Sequence, residues 1–261
     1  MISTMDWNKK KSVLLTLLSI ILALGVWQIA ALIIDSGVIL ASPLQVLVRV
    51  AELPFEDGFF AVIRFTFSRI LLGFFAGLAV GLLLALLAFR FPAAEILLKP
   101  YTVTIKSVPV ASFVILALML FSSKTLSVFV SFLIVLPVVY TNLLAGFKSR
   151  DQKLIEAARV FGVPWRRRLL YIDIPAIKSH LISACSIGMG LAWKSGIAAE
   201  VLTVPVMSIG KQLMESKLYW EVVDLFAWTL VVIVCSLVIE KVLMAAIGRL
   251  GRTYQTGGEP K

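Results

Sequence analysis

The chain has 261 residues, 60% of them hydrophobic and only 15% charged, with a mean hydropathy of +0.98. A water-soluble domain of this size cannot bury that much apolar side chain, and the apolar stretches are continuous rather than alternating, so the composition predicts an all-α integral membrane protein in preference to a barrel. The net charge of +10 does not indicate nucleic acid: the basic residues sit at the ends of apolar segments, and there is no soluble domain to carry a groove.

A short polar segment, 1–11, ends in Lys9, Lys10 and Lys11. The apolar run 12–34 is too long for a signal-peptide core and is predicted to be a retained first span. The loop 35–62 carries Asp35, Glu52, Glu56 and Asp57, which suits the outer side. Within it Ser42-Pro43 reads as a helix cap and first position, followed by Leu44, Leu47, Val48 and Ala51 on one face.

The second span is predicted at 63–89. Gly73, Gly77 and Gly81 repeat on one face and allow another helix to approach closely. Arg64 and Arg69 in its first turns are expected to snorkel outward. A cytoplasmic connection, 90–99, leads to a third span at 100–121. Lys106 and Pro109 lie inside that span, so it is not expected to be straight. A turn at Ser122-Ser123-Lys124 leads to a fourth span at 125–147, which contains Pro137.

Residues 149–175 are the most polar internal stretch. Ser149 with Gln152, or alternatively Asp151, supplies a helix start. Leu154, Ile155, Ala158 and Phe161 follow on one face. Gly162 stands where a left-handed residue ends a helix, with Pro164 just beyond. A second short helix is expected from Trp165, with Trp165, Leu169 and Ile172 on its apolar side and Arg166, Arg167 and Arg168 exposed. Pro175 closes the unit. One apolar face and one basic face suit insertion into a groove of a soluble partner.

The fifth span is predicted at 180–202, a loop at 203–221 and the sixth span at 222–243, followed by a polar, Gly-rich tail, 248–261. Six spans return both termini to one side. Most of the 25 basic residues then lie inside, while Arg49, Arg64, Arg69, Lys124, Lys211 and Lys217 lie outside. This asymmetry places the termini and the 149–175 stretch in the cytoplasm.

Lys194 stands near the middle of the fifth span, where a lysine costs roughly 2.5–3.5 kcal/mol on insertion scales and should face a cavity or a partner. It either lines a pathway and meets an anionic or carbonyl-bearing solute, or forms a structural ion pair with Glu200 or a neighbouring helix. Lys106 poses the same question more weakly, and Ser107, Ser112 and Ser195 are small polar residues that could line water. Cys185 and Cys235 read as small buried hydrophobes, and His180 as an interfacial residue. No metal cluster and no catalytic Ser/His/Asp set is legible, nor is a Gly-x-x-x-x-Gly-Lys-Ser/Thr loop.

Glu156-Ala157-Ala158, then Gly162, then Ile172-x-Ile174-Pro175 resembles the EAA loop of bacterial ABC importer permeases. Every spacing matches, with Ile174 in place of leucine. Residues 63–243 also resemble permeases for nitrate, sulfonate, taurine and bicarbonate uptake: the Gly-spaced second span, Lys106 to Pro109, Ala199-Glu200, and Ser208 to Gly210 occur in the same order. Lys194 departs from the apolar or small residues of that family, which leaves the solute open. The resemblance implies a six-span permease in the bacterial cytoplasmic (inner) membrane, pairing with a second copy. It also implies a cytosolic ABC ATPase docked on Glu156, Ala157, Ala158, Phe161, Gly162, Ile172 and Pro175, and an extracytoplasmic solute-binding protein above. ATP and magnesium would belong to the ATPase, with no cofactor in this chain. The rival reading is a self-sufficient ion-coupled secondary transporter with Lys194 and Glu200 as its relay. Six spans without an internal repeat are few for that class.

Overall fold

The structure is a computed structural model and describes residues 3–34 and 39–252. Among these residues all regular structure is helical. Five helices are long and apolar enough to cross a membrane, or six when one bent pair counts as a span. By contact the chain divides into two compact units, Met1–Phe59 with Gln212–Val232, and Phe60–Lys211 with Ile233–Lys261.

In the first unit, α1 (Ser3–Ile34) is the first span, and α2 (Pro43–Glu52) follows. Ser42 and Gln45 form a reciprocal capping box at the start of α2, with Pro43 in the first turn, where its missing N–H costs nothing. The Trp27 indole donates to the Ala41 carbonyl (3.1 Å) and its ring lies 5.5 Å from that of Phe226. Arg49 of α2 is bonded to Asp224 (2.5 and 2.8 Å) and to Glu56 (2.5 Å). The predicted apolar face of α2 is turned away from the chain: Leu44, Leu47, Val48 and Ala51 are exposed, while Val46 and Pro43 are buried. In a bilayer protein the apolar face need not point inward, because the surroundings are themselves apolar.

The second unit is built on α3 (Phe59–Arg90), α6 (Ser123–Lys148) and α9 (Ile174–Thr203). A Cβ added to Gly77 would lie 2.8 Å from Val135 Cβ, and one added to Gly81 2.9 Å from Val139 Cβ. Gly73 meets Val128 and Ser131 in the same way. The three glycines therefore let α3 lie directly on α6. Gly196 does the same for α9, against Ile70 and Ser131. The Ser131 hydroxyl donates to the Ala192 carbonyl (3.2 Å), tying α6 to α9 within the core.

Several sequence-based boundaries are corrected. The expected 90–99 connection is a break at Phe91 alone, and α4 (Pro92–Ser107) already includes it. The predicted third span, 100–121, is the end of α4 followed by α5 (Val110–Leu118), bent by 100° at Val108-Pro109. Pro109 has no N–H to continue α4 and sits at the start of α5 instead. The expected 203–221 loop contains the helix α10 (Ile209–Leu218), flanked by the positive-φ residues Val204, Met207 and Trp220. The last span, α11 (Val222–Arg252), runs on into the expected tail. Asp35 and residues 253–261 lie outside the described residues, as do the side chains of Lys9, Lys10 and Lys11.

Candidate functional site

Two places bring the predicted residues together. The first is the 149–175 stretch. Asp151 caps α7 (Gln152–Val160) by accepting from the Lys153 N–H (2.8 Å), while Ser149 closes α6. At the other end Val163 N–H reaches the Ala158 carbonyl (2.8 Å) and Gly162 N–H the Arg159 carbonyl (3.2 Å), a Schellman closure. It requires the φ of +62° that Gly162 adopts. A sharp stop follows at Pro164, which caps α8 (Trp165–Arg168).

Pro175 does not close this unit. It lies in the first turn of α9, and the chain runs from Trp165 through a π-helical turn, Leu169–Asp173, into α9 without interruption. The wide turn accommodates a proline that cannot donate to Tyr171 four residues earlier. The fifth span accordingly starts at Ile174 rather than His180, and His180 packs against Gly146 inside the helix.

The unit is anchored by residues that sequence reasoning passed over. Arg150 is bonded to the buried Asp173, donates from Nε to the Phe147 carbonyl (2.9 Å), and lays its guanidinium 4.3 Å from the Phe89 ring. Arg168 Nε lies 3.5 Å from the other Asp173 oxygen. Lys148 and Glu95 tie α6 to α4 just above (2.6 Å). The only sequence signal was a lone acid beside the arginine run. Ile155 and Ala158 are buried inward, but Leu154 and Phe161 are not, contrary to the expected single apolar face. Phe161 is 82% exposed, Val160 81% and Trp165 66%. Glu156, Ala157 and Pro175 are exposed and Ile172 is half-buried. The apolar tip thus protrudes from an anchored base.

The second place is a cavity of about 350 Å³ at the bend between α4 and α5. Lys106, Lys194 and Ser195 line it, with Ile134, Pro137 and Leu191 as apolar wall. Lys106 Nζ donates to Thr141 Oγ1 (3.1 Å), and the Ser195 hydroxyl is spent on the Leu191 carbonyl of its own helix (2.8 Å).

Glu200 is not part of this cavity. It is wholly buried one and a half turns further along α9, where Oε2 accepts from Thr66 Oγ1 (2.8 Å) and from Gly210 N–H (3.4 Å). Thr66 in turn accepts from Ile209 N–H (3.0 Å). Arg69 does not snorkel outward as expected: it is half-buried over the Phe65 ring and lies in the field of Glu200. Lys194 and Glu200 lie six residues apart on the unbroken α9, not on one face of it, and do not pair.

The bundle thus combines a bent span beside a largely apolar cavity edged by two lysines with an anchored, protruding helical unit between spans. The chain belongs to the family of binding-protein-dependent transport system inner membrane components, whose model matches residues 77–254. It is similar to a probable ABC transporter permease of Brucella melitensis, at 26% identity over 90% of this chain and 95% of that protein. It is also similar to the putative aliphatic sulfonates transport permease SsuC of Bacillus subtilis (26% identity; 78% of this chain, 74% of that one). The taurine transport system permease TauC of Escherichia coli matches at 25% identity (75% and 74%). In fold it resembles the crystal structure of an amino acid ABC transporter with histidines, with a TM-score of 0.60 and 16% identity over 78% of this chain and 97% of that one. The protein is a permease subunit of an ABC importer, a multi-pass component of the bacterial inner membrane.

Proposed function

We propose that this subunit receives the motion of a cytosolic ABC ATPase at α7–α8 and passes it along α9 to a translocation pathway that includes the cavity at the α4–α5 bend. One observation carries the reading: Val160, Phe161 and Trp165 protrude at the tip of a unit whose base is fixed by Arg150 and Asp173. An apolar tip on a fixed base suits insertion into a partner's groove, and the flanking Arg159 and Arg166–Arg168 suit an acidic rim. Because α8 continues through the π turn into α9, a push on the tip is delivered to the helix that bears Lys194 and Ser195. The pathway then alternates between outward and inward access, a two-state element biased by nucleotide on one side and by the loaded binding protein on the other.

In this reading ATP and magnesium are bound by the ATPase, and this chain holds neither. A second copy completes the pathway, and an extracytoplasmic solute-binding protein delivers a small solute. The basic residues between Lys148 and Lys178 support a cytoplasmic side for the α7–α8 unit and, with six spans, for both termini. Relatives named for sulfonates, taurine and nitrate support a small solute of that size.

The test is co-purification of this chain with its candidate ATPase, comparing wild type with Gly162→Asp and Glu156→Lys. Loss of ATPase association or of stimulated hydrolysis in a still-folded variant is expected. A wild-type chain that retains no ATPase sinks the reading.

A further inference from the structure

The joint between α8 and α9 is short of ordinary backbone bonding. Leu169–Asp173 is π-helical, with Ile174 N–H donating to the Leu169 carbonyl five residues back. Pro175 follows at once and has no N–H with which to strengthen the joint. Wide turns and prolines are where helices kink. A push on the tip at Val160, Phe161 and Trp165 therefore bends this joint unless side chains stiffen it.

One carboxylate is placed to do so. Buried Asp173 presents one oxygen to Arg150 and the other to Arg168 Nε at 3.5 Å. Arg168 immediately precedes the π turn and Asp173 ends it, so their contact spans the turn from end to end. Arg150 precedes α7, so its contact closes residues 150–173 into a ring. Arg150 is itself held from elsewhere: Nε donates to the Phe147 carbonyl of α6 (2.9 Å), and the guanidinium lies 4.3 Å from the Phe89 ring of α3. The Phe89 and Phe147 rings stack at 5.5 Å or less, with centroids 5.4 Å apart. Through Arg150 the joint is thus referred to the same two helices, α3 and α6, on which α9 packs.

We propose that Asp173 is a positioning residue for coupling: its carboxylate splints the π turn between Arg150 and Arg168, so that displacement of α7–α8 reaches α9 instead of being spent in bending the joint. Asp173 is buried, unlike the docking tip, and acts through its two arginines. The charge matters as well as the shape. Bonds between ionised partners are the stronger ones, and an asparagine amide nitrogen cannot accept, so one arginine would lose its partner. This rests on α7–α8 being the ATPase-coupling unit, and it assigns docking and transmission to different residues.

The test has two arms, both on the full chain in lipid nanodiscs. The first needs no ATPase. Amide hydrogen exchange over 169–174 should be about tenfold faster in Asp173→Asn than in wild type, with exchange in α3 and α6 unchanged. Equal exchange over 169–174 overturns the proposal. The second arm adds the candidate ATPase in a hydrolysis-deficient form, with and without Mg-ATP. The reporter is alkylation of Ala198→Cys, at the cavity on α9, by a small thiosulfonate in a Cys185→Ala, Cys235→Ala background. With Asp173 present, Mg-ATP is expected to change the alkylation rate. Asp173→Asn should remove most of that change while ATPase affinity stays within about threefold of wild type. Arg150→Gln should do the same, and the double variant should be no worse than either single one. Phe161→Ala should show the reverse split, with weaker affinity but a normal change once ATPase is saturating. Full transmission in Asp173→Asn overturns the proposal, as does a loss of affinity equal to that of Phe161→Ala. Where Asp173→Asn does not fold, Arg150→Gln decides both arms by the same outcomes. The coupling reading fails separately, if the wild-type chain binds no ATPase while the exchange difference over 169–174 stands.

Discussion

The carboxylate of Glu200 accepts a 2.8 Å hydrogen bond from the hydroxyl of Thr66, a residue 134 positions earlier in the chain. The same hydroxyl accepts from Ile209 N–H (3.0 Å), so one small side chain joins α3, α9 and the start of α10. Gly210 is required beside it, since a Cβ there would run into Glu200. Thr66→Val keeps the shape and removes both bonds, stranding a buried N–H and weakening the hold on a buried carboxylate. Such a loss costs about 1–3 kcal/mol, and Thr66→Ser should restore most of it. Denaturant or thermal unfolding in nanodiscs decides the matter: equal stability for the valine and serine variants would mean the tie contributes nothing.

Phe161→Ala separates coupling from folding. The ring is 82% exposed, so its removal opens no cavity and stability should stay within about 0.5 kcal/mol of wild type. If the ring anchors the ATPase, association should weaken by at least tenfold, or about 1.4 kcal/mol. The measurement is ATPase affinity in detergent or nanodiscs, alongside the melting temperature. Unchanged affinity would move the anchor to Val160 or Trp165.

The turn at Gly162 was legible because local chemistry decides it: a glycine, then a proline, at the end of an amphipathic pattern. The Gly73-Gly77-Gly81 face was legible for the same reason, since spacing alone defines it. The bend at Pro109 was only half legible. Lys106 and Pro109 argued against a straight span, but the 100° angle depends on what α4 and α5 pack against. Helix α10 was missed because its boundaries rest on left-handed Val204, Met207 and Trp220, none of which is a residue type that announces that conformation. Glu200 was drawn toward Lys194 by closeness in sequence. Its real partners come from α3 and from beyond a turn, and no local pattern encodes them. The apolar face of α2 was legible from its spacing, but its direction was not, because a face in apolar surroundings has no need to point inward.

Two glycines should respond in opposite ways. Gly77→Val would place its Cβ 2.8 Å from Val135 Cβ and 2.9 Å from the Phe132 carbonyl oxygen, so α3 and α6 must separate. Overpacking of this kind costs about 1–3 kcal/mol, and more where backbone is the obstacle. Gly25 in α1 has no atom within 4 Å of the corresponding position. Gly25→Ala should be neutral or stabilising by about 0.5–1 kcal/mol, through the lower entropy of the unfolded chain. Comparing the melting temperatures of the two variants tests the packing directly. A Gly77→Val protein as stable as wild type would show that the helices are not in close contact there.

The Arg49–Asp224 pair makes a different kind of prediction, because its worth depends on geometry rather than on charge alone. Two guanidinium nitrogens meet the two carboxylate oxygens at 2.5 and 2.8 Å, with both side chains about three-quarters buried. The hydrogen bonds to Asp224, and then to Glu56, hold the guanidinium pKa above its ordinary value, so the charge on Arg49 is constant at any working pH. Lysine would keep that charge and lose the fork. Arg49→Lys should therefore destabilise nearly as much as Arg49→Met, and a double-mutant cycle with Asp224→Asn should give a coupling on the order of 1 kcal/mol. Glu56 (2.5 Å) and Glu52 (3.7 Å) are more exposed and should couple less, with an effect that fades as salt is added. Full stability in Arg49→Lys would reduce the contact to simple charge attraction, and a strongly salt-dependent Asp224 coupling would place the pair in contact with water.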